Sequence, residues 1–203
     1  MNLRITTCTI LALSCSLMLM GQMQNIRFER LNKEDGLSHS LVNSIVQDDM
    51  GYVWVGTQDG LNRYDGYEFK VYRPGLGKND LLYQWVTQLT KDSHGDIWIR
   101  YNKVGLTRYN PRKETFSTYL HDPEDPHSPS SDFVNPQLQD NDNILHEDDC
   151  GELWLATDKG LNHYRRSTDD FERIQLNGLE GIPRQPAVTF IESAPDGALY
   201  LGT

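Results

Sequence analysis

Two pairs of adjacent carboxylates are the first residues in this sequence whose types suggest chemistry. Asp48 and Asp49 form one pair, and Asp148 and Asp149 form the other. Two carboxyl groups at a suitable separation act as acid and base in glycoside hydrolysis. A glycine follows each pair closely, however, and aspartate in such a segment commonly bonds its own backbone to fix a turn. The sequence therefore favours two similar turns, and no catalytic residue is predicted.

The segment from His121 to Asp132 raises the question of a metal site, because it mixes two histidines with several carboxylates. Its three prolines and irregular spacing do not suit the rigid ligand set of a zinc or calcium site. Cys150 would need a positioned base to act as a nucleophile, and the sequence marks none. The sequence also has no Gly-rich phosphate loop, nucleophile elbow or HExxH motif. We therefore predict no metal and no cofactor.

An internal repeat organises the elements that carry these residues. Four segments align without gaps around an aromatic residue, and each has a glycine three positions before it. The aromatic residues are Trp54, Trp98, Trp154 and Tyr200. Their spacings of 44, 56 and 46 residues are typical of a β-propeller blade. The longer second spacing places the extra residues of the third unit within residues 135–143.

Each repeat is interpreted as four short strands. In the first repeat the strands are residues 43–47, 52–56, 61–64 and 68–72, with Asp-Gly pairs at turns. The run Tyr52-Val-Trp-Val is apolar on both strand faces, as expected for a blade packed between two neighbours. The alternative is a sandwich whose strands resemble one another by chance. We predict an all-β fold: a partial β-propeller of about three and a half four-stranded blades, preceded by a signal peptide.

The predicted signal peptide is residues 1–24. Arg4 supplies a positive charge before the uncharged apolar stretch Cys8–Met20, which is shorter than the roughly 20 residues that cross a bilayer. A lipid anchor at Cys15 is the alternative, although the preceding residues suit it poorly. Residues 25–203 are expected to form an incomplete propeller, with blades at about 40–74, 84–121, 133–177 and 186–203, the last of them truncated.

The composition limits the classes of partner. The 203-residue chain has a formal net charge of −10, and 37% of its residues are hydrophobic, which is enough for a buried core. An acidic surface repels phosphate backbones and anionic lipid, so nucleic acid is not an expected partner. No second apolar run of membrane-spanning length follows the signal peptide. The chain is therefore not expected to insert into a membrane after the signal is removed.

The segment Glu34–Tyr72 resembles the first blade of two-component regulator propellers. The pattern N-x-I-x-x-D-x-x-G-x-x-W-x-G-T-x-x-G-L-N-R-Y-D-G is complete in residues 43–66. The resemblance covers nearly everything from Phe28 onward, although the third unit departs at Ala156 and His163. Proteins of this family form periplasmic sensor regions of hybrid two-component systems and related membrane kinases, many of which sense glycans.

The resemblance implies an exported, periplasmic ligand-sensing region with no catalytic activity of its own. Its implied ligand is a small molecule or an oligosaccharide, and a full-length parent would be a sensor histidine kinase anchored in the inner membrane. Because the sequence stops inside a blade at Thr203, we expect a truncated piece without an output domain, able to self-associate through open blade edges. Two alternatives remain open: an exported propeller enzyme acting on polysaccharide, and a protein-interaction scaffold.

Residues that break the repeat are the candidates for ligand contact, because aromatic residues at repeated positions are expected to pack in the core. The candidates are Trp85, Arg100, Tyr101 and Lys103, all in the second repeat. The second repeat also has one extra residue before Gly105. We expect these four side chains to contact the ligand.

Overall fold

The computed structural model describes residues 28–75, 77, 80–102, 105–132, 144–176 and 186–203. The chain divides into two compact units, Met1–Arg30 and Leu31–Thr203. In the first unit, residues 28–30 have no regular secondary structure, and the predicted signal peptide (residues 1–24) lies outside the described residues. In the second unit, a short 3-10 helix at Lys33–Asp35 precedes the strands. None of the described residues forms a helix that could reach across a bilayer.

Within the described residues, strands form four antiparallel sheets, three of which have four strands in sequence order. The first sheet contains β1 (Val42–Gln47), β2 (Val53–Thr57), β3 (Gly60–Tyr64) and β4 (Phe69–Tyr72). The second contains β5 (Val86–Lys91), β6 (Ile97–Tyr101), β7 (Leu106–Asn110) and β8 (Thr115–Tyr119). The third contains β9 (Leu145–Glu147), β10 (Leu153–Thr157), β11 (Gly160–Arg165) and β12 (Asp170–Ile174). The fourth contains β13 (Phe190–Ser193) and β14 (Leu199–Gly202).

These sheets confirm the predicted all-β fold of about three and a half blades. In the first repeat, each predicted strand end lies within one residue of the observed one. Short polar segments form the tight turns between neighbouring antiparallel strands. Gln58 and Asp59 connect β2 to β3, where Thr57 pairs with Gly60, and Asp65-Gly66 lies between β3 and β4. The predicted insertion at residues 135–143 lies outside the described residues.

An aspartate–tryptophan pair fixes the turn between the first two strands of each complete sheet. Asp48 Oδ1 accepts hydrogen bonds from the backbone N–H groups of Met50 and Tyr52, both at 2.9 Å. Its Oδ2 accepts from the Trp54 indole at 2.8 Å. The following glycine, Gly51, has a φ of 90°, which side-chain-bearing residues rarely adopt. Asp48, the first aspartate of its predicted pair, therefore shapes the turn and also anchors the central aromatic residue of its blade.

The same pair recurs in the next two sheets and is missing in the fourth. The indole of Trp98 donates to Asp92, and that of Trp154 donates to Asp148, both at 2.9 Å. In the fourth sheet the two positions are occupied by Ala194 and Tyr200, so both members change together. The indole N–H needs a buried acceptor, and without the indole the aspartate loses that partner.

Successive sheets pack face to face through three apolar clusters, which we call the first, second and third seams. In the first seam Trp54 and Leu61 of the first sheet pack against Val86, Leu89, Ile97, Ile99, Tyr101, Tyr109 and Phe116 of the second. The second seam joins Trp98 and Leu106 to Leu145, Leu153, Leu155, Tyr164 and Phe171. The third joins Ile144, Ala156 and Leu161 to Val188 and Ile191. Each inner sheet is therefore buried on both faces, which explains strands that are apolar on both sides.

The segment from His121 to Asp132 is a folded connection between the second and third sheets. The Arg173 guanidinium of β12 donates to the carbonyl oxygens of Asp122 and Asp125, at 3.0 and 2.9 Å. It also donates to the Ser128 hydroxyl at 2.7 Å. Among the described residues, no group of three or more histidine, cysteine or acidic side chains could hold a metal ion.

Candidate ligand site

The second sheet brings three of the four predicted ligand-contact residues to one edge. Trp85 immediately precedes β5, and Arg100 and Tyr101 end the neighbouring strand β6. The Asn102 N–H donates to the Trp85 carbonyl oxygen at 3.2 Å, which holds the two segments together. The fourth candidate, Lys103, lies outside the described residues. The ligand contact of these residues stays a prediction.

Tyr101 is a core residue at this edge. It is 3% exposed, and its hydroxyl accepts a hydrogen bond from the Leu82 N–H at 3.4 Å. Burial raises the pKa of this hydroxyl above its usual range, and a hydrogen bond with Thr107 opposes that rise only in part. The hydroxyl therefore stays protonated and acts as a structural link between the connection before β5 and the strands β6 and β7.

In the first sheet a different set of polar side chains provides this link. The Ser38 N–H donates to Asn62 Oδ1 at 2.9 Å, and the Ser38 and Thr57 hydroxyls lie 2.8 Å apart. Asn62 also donates to the Val55 carbonyl oxygen at 3.1 Å. These three polar side chains are buried, so their hydrogen bonds are needed to offset the loss of water.

The third sheet repeats the first. The Ser130 N–H donates to Asn162 Oδ1 at 2.8 Å, and the Ser130 and Thr157 hydroxyls lie 2.7 Å apart. The second sheet instead has Tyr101 and Thr107 in place of the threonine and the asparagine. Two positions that contact each other have therefore changed together, and the hydrogen bond to the preceding connection is kept. Comparing both positions between repeats would have indicated this structural role for Tyr101, whereas comparing one position alone does not.

Arg100 occupies a position where a side chain is usually excluded. The first and third sheets have Gly56 and Ala156 there. A Cβ atom on Gly56 would lie 2.6 Å from the Val86 Cγ1 of the next sheet, so a larger residue would clash. Arg100 is 9% exposed and donates to Gln88 Oε1 at 3.2 Å. The third sheet leaves room for the arginine. Its first strand, β9, has three described residues, whereas β5 in the second sheet has six.

The Arg100 side chain lines a small cleft at the second seam. Its other walls come from the connection before β9 and from strands of both sheets: Gly105, Leu106, Tyr119, Pro129, Ser131, Asp132, Leu155 and Thr157. Asp132 is held in place because its Oδ1 accepts from the His121 N–H. The cleft thus places a guanidinium and a carboxylate beside neutral hydroxyls, and its volume of about 10 Å³ suits a bound water molecule.

Trp85 is the most accessible aromatic candidate at this edge. It is half-buried, and it aligns with Leu41 of the first sheet, which is 49% exposed. The repeat therefore puts an apolar side chain here, and the second sheet enlarges it to an indole. A partly exposed aromatic ring beside polar groups can stack on an apolar face of a ligand.

The opposite end of the second seam carries a charged cluster that the sequence did not reveal. Arg108 donates to Asp169 at 3.1 Å, and Arg166 donates to Asp92 at 2.9 Å. The Tyr164 hydroxyl donates to Asp169 at 2.6 Å. These residues lie far apart in sequence, between positions 92 and 169, so only the packing of two sheets brings them together.

Protonation in this cluster is shifted by burial. Burial and the nearby Asp92 carboxylate raise the pKa of Asp96 above its ordinary value, although Arg108 and Arg166 oppose this. Burial, with the hydrogen bond to Asp169, raises the pKa of Tyr164 to about 12. Tyr164 is therefore neutral at physiological pH.

A polar cavity of about 280 Å³ lies beside the charged cluster. Its walls are His94, Cys150, Gly151, Glu152, Leu153, Tyr164 and Arg166. Cys150 is exposed at a turn tip, as the repeat predicts. His163 occupies the position of the arginines Arg63 and Arg108, and its Nε2 lies 2.6 Å from Glu152.

Comparison with known proteins agrees with this geometry. Residues 36–59 match the family model described as two component regulator propeller. The chain contains a two component regulator propeller repeat. A 55-residue segment is 51% identical to "Histidine kinase P4" of Formosa agariphila and covers 27% of this chain but 4% of that kinase.

A solved structure with this type of architecture covers most of the chain. The extracellular domain of a putative hybrid two component system from B. thetaiotaomicron is 28% identical, with a TM-score of 0.70, over 86% of this chain. The match covers 23% of that domain, so this chain spans less than a quarter of it. Virginiamycin B lyase from Staphylococcus aureus is 16% identical with a TM-score of 0.52 and covers 86% of this chain, which shows a shared fold alone.

Proposed function

We propose that this chain is part of an extracellular sensor propeller of a two component signalling protein, exported to the periplasm. The observation that carries the proposal is the 28% identity and TM-score of 0.70 to the extracellular domain of a putative hybrid two component system. The two component regulator propeller repeat at residues 36–59 points the same way. The sensor binds a soluble ligand and passes a signal to parts of a longer protein.

The ligand is a small molecule or an oligosaccharide, bound at the edge formed by Trp85 and Arg100. This edge combines a half-buried indole with a guanidinium, a carboxylate and hydroxyl groups around the cleft. Such a mixture recognises polar molecules that also have an apolar face. Nucleic acid is not a partner, in keeping with the net charge of −10.

The region binds without catalysis. The aspartates that suggested acid–base chemistry are engaged in turns: Asp48 and Asp148 each accept from two backbone N–H groups and an indole. A carboxylate committed to three donors is poorly placed to exchange protons with a substrate. This use of both carboxylates supports a binding role.

Calorimetry of this chain against a panel of oligosaccharides tests the proposal, with product analysis of the same samples. We expect saturable binding without turnover. Trp85→Ala should weaken binding about tenfold or more, because stacking on an indole contributes strongly to recognition. Tyr67→Ala is the matched control, since Tyr67 is an aromatic residue 94% exposed in a turn of the first sheet.

Two results would count against the proposal. Release of shortened oligosaccharides would favour an exported enzyme. Binding that survives Trp85→Ala but is lost on Tyr67→Ala would move the ligand site to the first sheet.

A further inference from the structure

The turn between the first two strands of the second sheet carries two buried carboxylates. Asp92 is 1% exposed, and Asp96 is 5% exposed. The position of Asp96 is occupied by Tyr52 in the first sheet and by Glu152 in the third. Glu152 is exposed, so of these three turns only the second combines two acidic side chains with burial. A buried pair of like charges is costly unless cations balance it.

A guanidinium of the third sheet lies against both carboxylates. Arg166 Nη2 donates to Asp92 Oδ2 at 2.9 Å, and its Nη1 lies 3.5 Å from Asp96 Oδ2. The Nη1 of Arg108 lies 3.6 Å from the same Asp96 oxygen, and its Nη2 donates to Asp169 at 3.1 Å. Three carboxylates therefore share two cations at the second seam, which leaves a surplus of one negative charge.

The groups on the other side of Asp96 do not remove this surplus. Asp96 lines a cavity of about 30 Å³ there, together with ionisable residues of the first and second sheets: Asp48, Asp49, His94 and Arg112. Asp49 pairs with Lys91 at 2.7 Å, and Arg112 is a second cation near Asp49. This side therefore adds two carboxylates and two cations, and the balance of charge is unchanged.

Two tyrosines complete the surroundings of the cluster. Tyr119 and Tyr164 both donate to Asp169, the second of them at 2.6 Å. Burial raises the pKa of both hydroxyls, so neither is charged at neutral pH. The surplus negative charge therefore stays at the seam, where burial limits its screening by water.

Two of the three carboxylates are well supplied with hydrogen-bond donors. Asp92 accepts from the Trp98 indole and from an N–H of its own turn, both at 2.9 Å, in addition to Arg166. Asp169 accepts from both tyrosine hydroxyls and from Arg108. Donors of this kind stabilise the charged form of a carboxylate.

Asp96 has the poorest set of donors. Among the described residues, its Oδ1 accepts from the Asn110 amide at 2.7 Å, and its Oδ2 faces the two guanidinium groups at 3.5 and 3.6 Å. Charge-assisted hydrogen bonds are usually shorter, at about 2.7–2.9 Å. Burial raises the pKa of Asp96, the nearby Asp92 carboxylate raises it further, and the neighbouring cations and amide oppose the rise only in part.

We propose that Asp96 is a proton-binding site at the second seam, and that mild acid stabilises the folded chain through it. The proton reduces three charged carboxylates to two, which then match the two guanidinium groups. Each cation keeps its nearer partner, since Arg166 stays bonded to Asp92 and Arg108 to Asp169. The second sheet is thus an acid-responsive element of the fold.

The sign of the effect follows from the two states of the chain. In the unfolded chain Asp96 has the ordinary aspartate pKa of 3.8, and in the folded chain its pKa is higher. The folded chain therefore takes up this proton first as the pH falls. Stability from Asp96 grows between neutral pH and about pH 4, and it is lost as the pH rises through the folded pKa.

Carbon-13 NMR of the aspartate side chains in the full chain, between about pH 7.5 and about pH 4, follows the proton directly. We expect the Asp96 carboxyl resonance to shift at a higher pH than those of Asp92 and Asp169. A shift of Asp92 before Asp96 would overturn the proposal. So would titration of His94 with no change at Asp96, which would place the balancing charge on the imidazole.

Urea unfolding at about pH 7 and about pH 4.5 measures the effect on stability, because Asp96→Asn removes the proton site with little change of shape. The unfolding constant of Asp96→Asn divided by that of the parent should rise about threefold or more at the lower pH. Asp65→Asn is the matched control: backbone hydrogen bonds from Glu68 and Tyr67 lower the pKa of Asp65, so its ratio should change little and in the opposite direction. A constant or falling ratio for Asp96→Asn contradicts the proposal. The carbon-13 titration needs no variant, so it decides the question even where Asp96→Asn does not fold.

Discussion

The first and second seams join the same strands in the same register, yet they are held together differently. The first seam is mainly apolar and aromatic, and its ion pairs have largely exposed carboxylates: Arg63 with Glu114 at 3.5 Å and Lys91 with Asp49 at 2.7 Å. The second seam has the corresponding pair, Arg108 with Asp169, at 3.1 Å, with Tyr164 bonded to the same aspartate. One backbone repeat therefore supports two kinds of interface.

The acidic αL residue at each seam explains how the repeat permits this difference. Glu114 and Asp169 hold corresponding turn positions, with φ values of 52° and 59°. In each case the carboxylate pairs with an arginine in the third strand of the preceding sheet. Glu114 pairs with Arg63, and Asp169 pairs with Arg108. In the second seam the acidic side chain is shorter and has a tyrosine partner, and Arg166 and Asp96 extend the pair into a half-buried cluster.

Removing the turn aspartate should have the largest effect on the free energy of unfolding. The size of the loss should differ between the two seams. Asp92→Ala removes the acceptor of Trp98 and also leaves Arg166 without its 2.9 Å partner. We expect a loss of about 4 kcal/mol in the free energy of unfolding, in the range for breaking a buried ion pair. Asp48→Ala loses only neutral donors and should cost about 2 kcal/mol.

Urea unfolding followed by tryptophan fluorescence measures both losses. Equal losses would mean that Arg166 adds nothing at the second seam, and the contrast between the seams would then rest on packing alone. Asp65→Ala serves as a surface control, because Asp65 is an exposed residue of a hairpin turn.

The arginines of the third strands should show the next largest difference. Arg108→Met keeps the apolar stem but removes the cation beside Asp169 and leaves the buried Asp96 with Arg166 as its other cation, at a cost of about 3 kcal/mol. Arg63→Met breaks a pair with the exposed Glu114 and should cost less than about 1 kcal/mol. Urea unfolding at low and high salt measures how much of each loss in the free energy of unfolding comes from the ion pair. A loss at Arg63 as large as that at Arg108 would contradict the contrast.

Alkaline titration should distinguish the tyrosines of the two sheets. The pKa of Tyr164 is raised to about 12 in the folded chain, so the unfolded chain releases this proton first, near its ordinary value of about 10. Stability from this group is therefore complete below about pH 10 and is lost as pH rises towards 12. Tyr164→Phe should reduce the loss between pH 9 and pH 11 by about 1 kcal/mol.

Tyr64→Phe is the matched control for that titration. Its hydroxyl donates to the Gly66 carbonyl oxygen in an exposed turn, whereas the Tyr164 hydroxyl donates to a carboxylate. The same flattening in both variants would show that Tyr164 is not the titrating group, and urea unfolding at each pH provides the measurement.

Sequence alone predicted the elements that are repeated and missed the contacts that are not. The turn aspartates, the central aromatic residues and the strand ends of the first repeat follow from local pattern, because each depends on neighbours within a few residues. The cluster of Arg108, Arg166 and Asp169 depends on how two sheets approach each other, and no local pattern encodes that. Tyr101 breaks the repeat and is buried, so a repeat can also be broken in a way that repacks the core, and its contact with a ligand stays a prediction.

The exchange at Tyr101 provides the finest test of how the second sheet differs from its neighbours. Tyr101→Thr alone empties part of the core and should cost about 3 kcal/mol. Thr107→Asn alone places an amide against the ring and should also destabilise the fold.

The double variant recreates the threonine–asparagine pair of the first and third sheets, so its asparagine can accept from the Leu82 N–H as Asn62 accepts from Ser38. A double-mutant cycle in urea should therefore give a favourable coupling of about 1 kcal/mol. Strict additivity would mean that the two positions changed independently and that the tyrosine was selected for something other than this link.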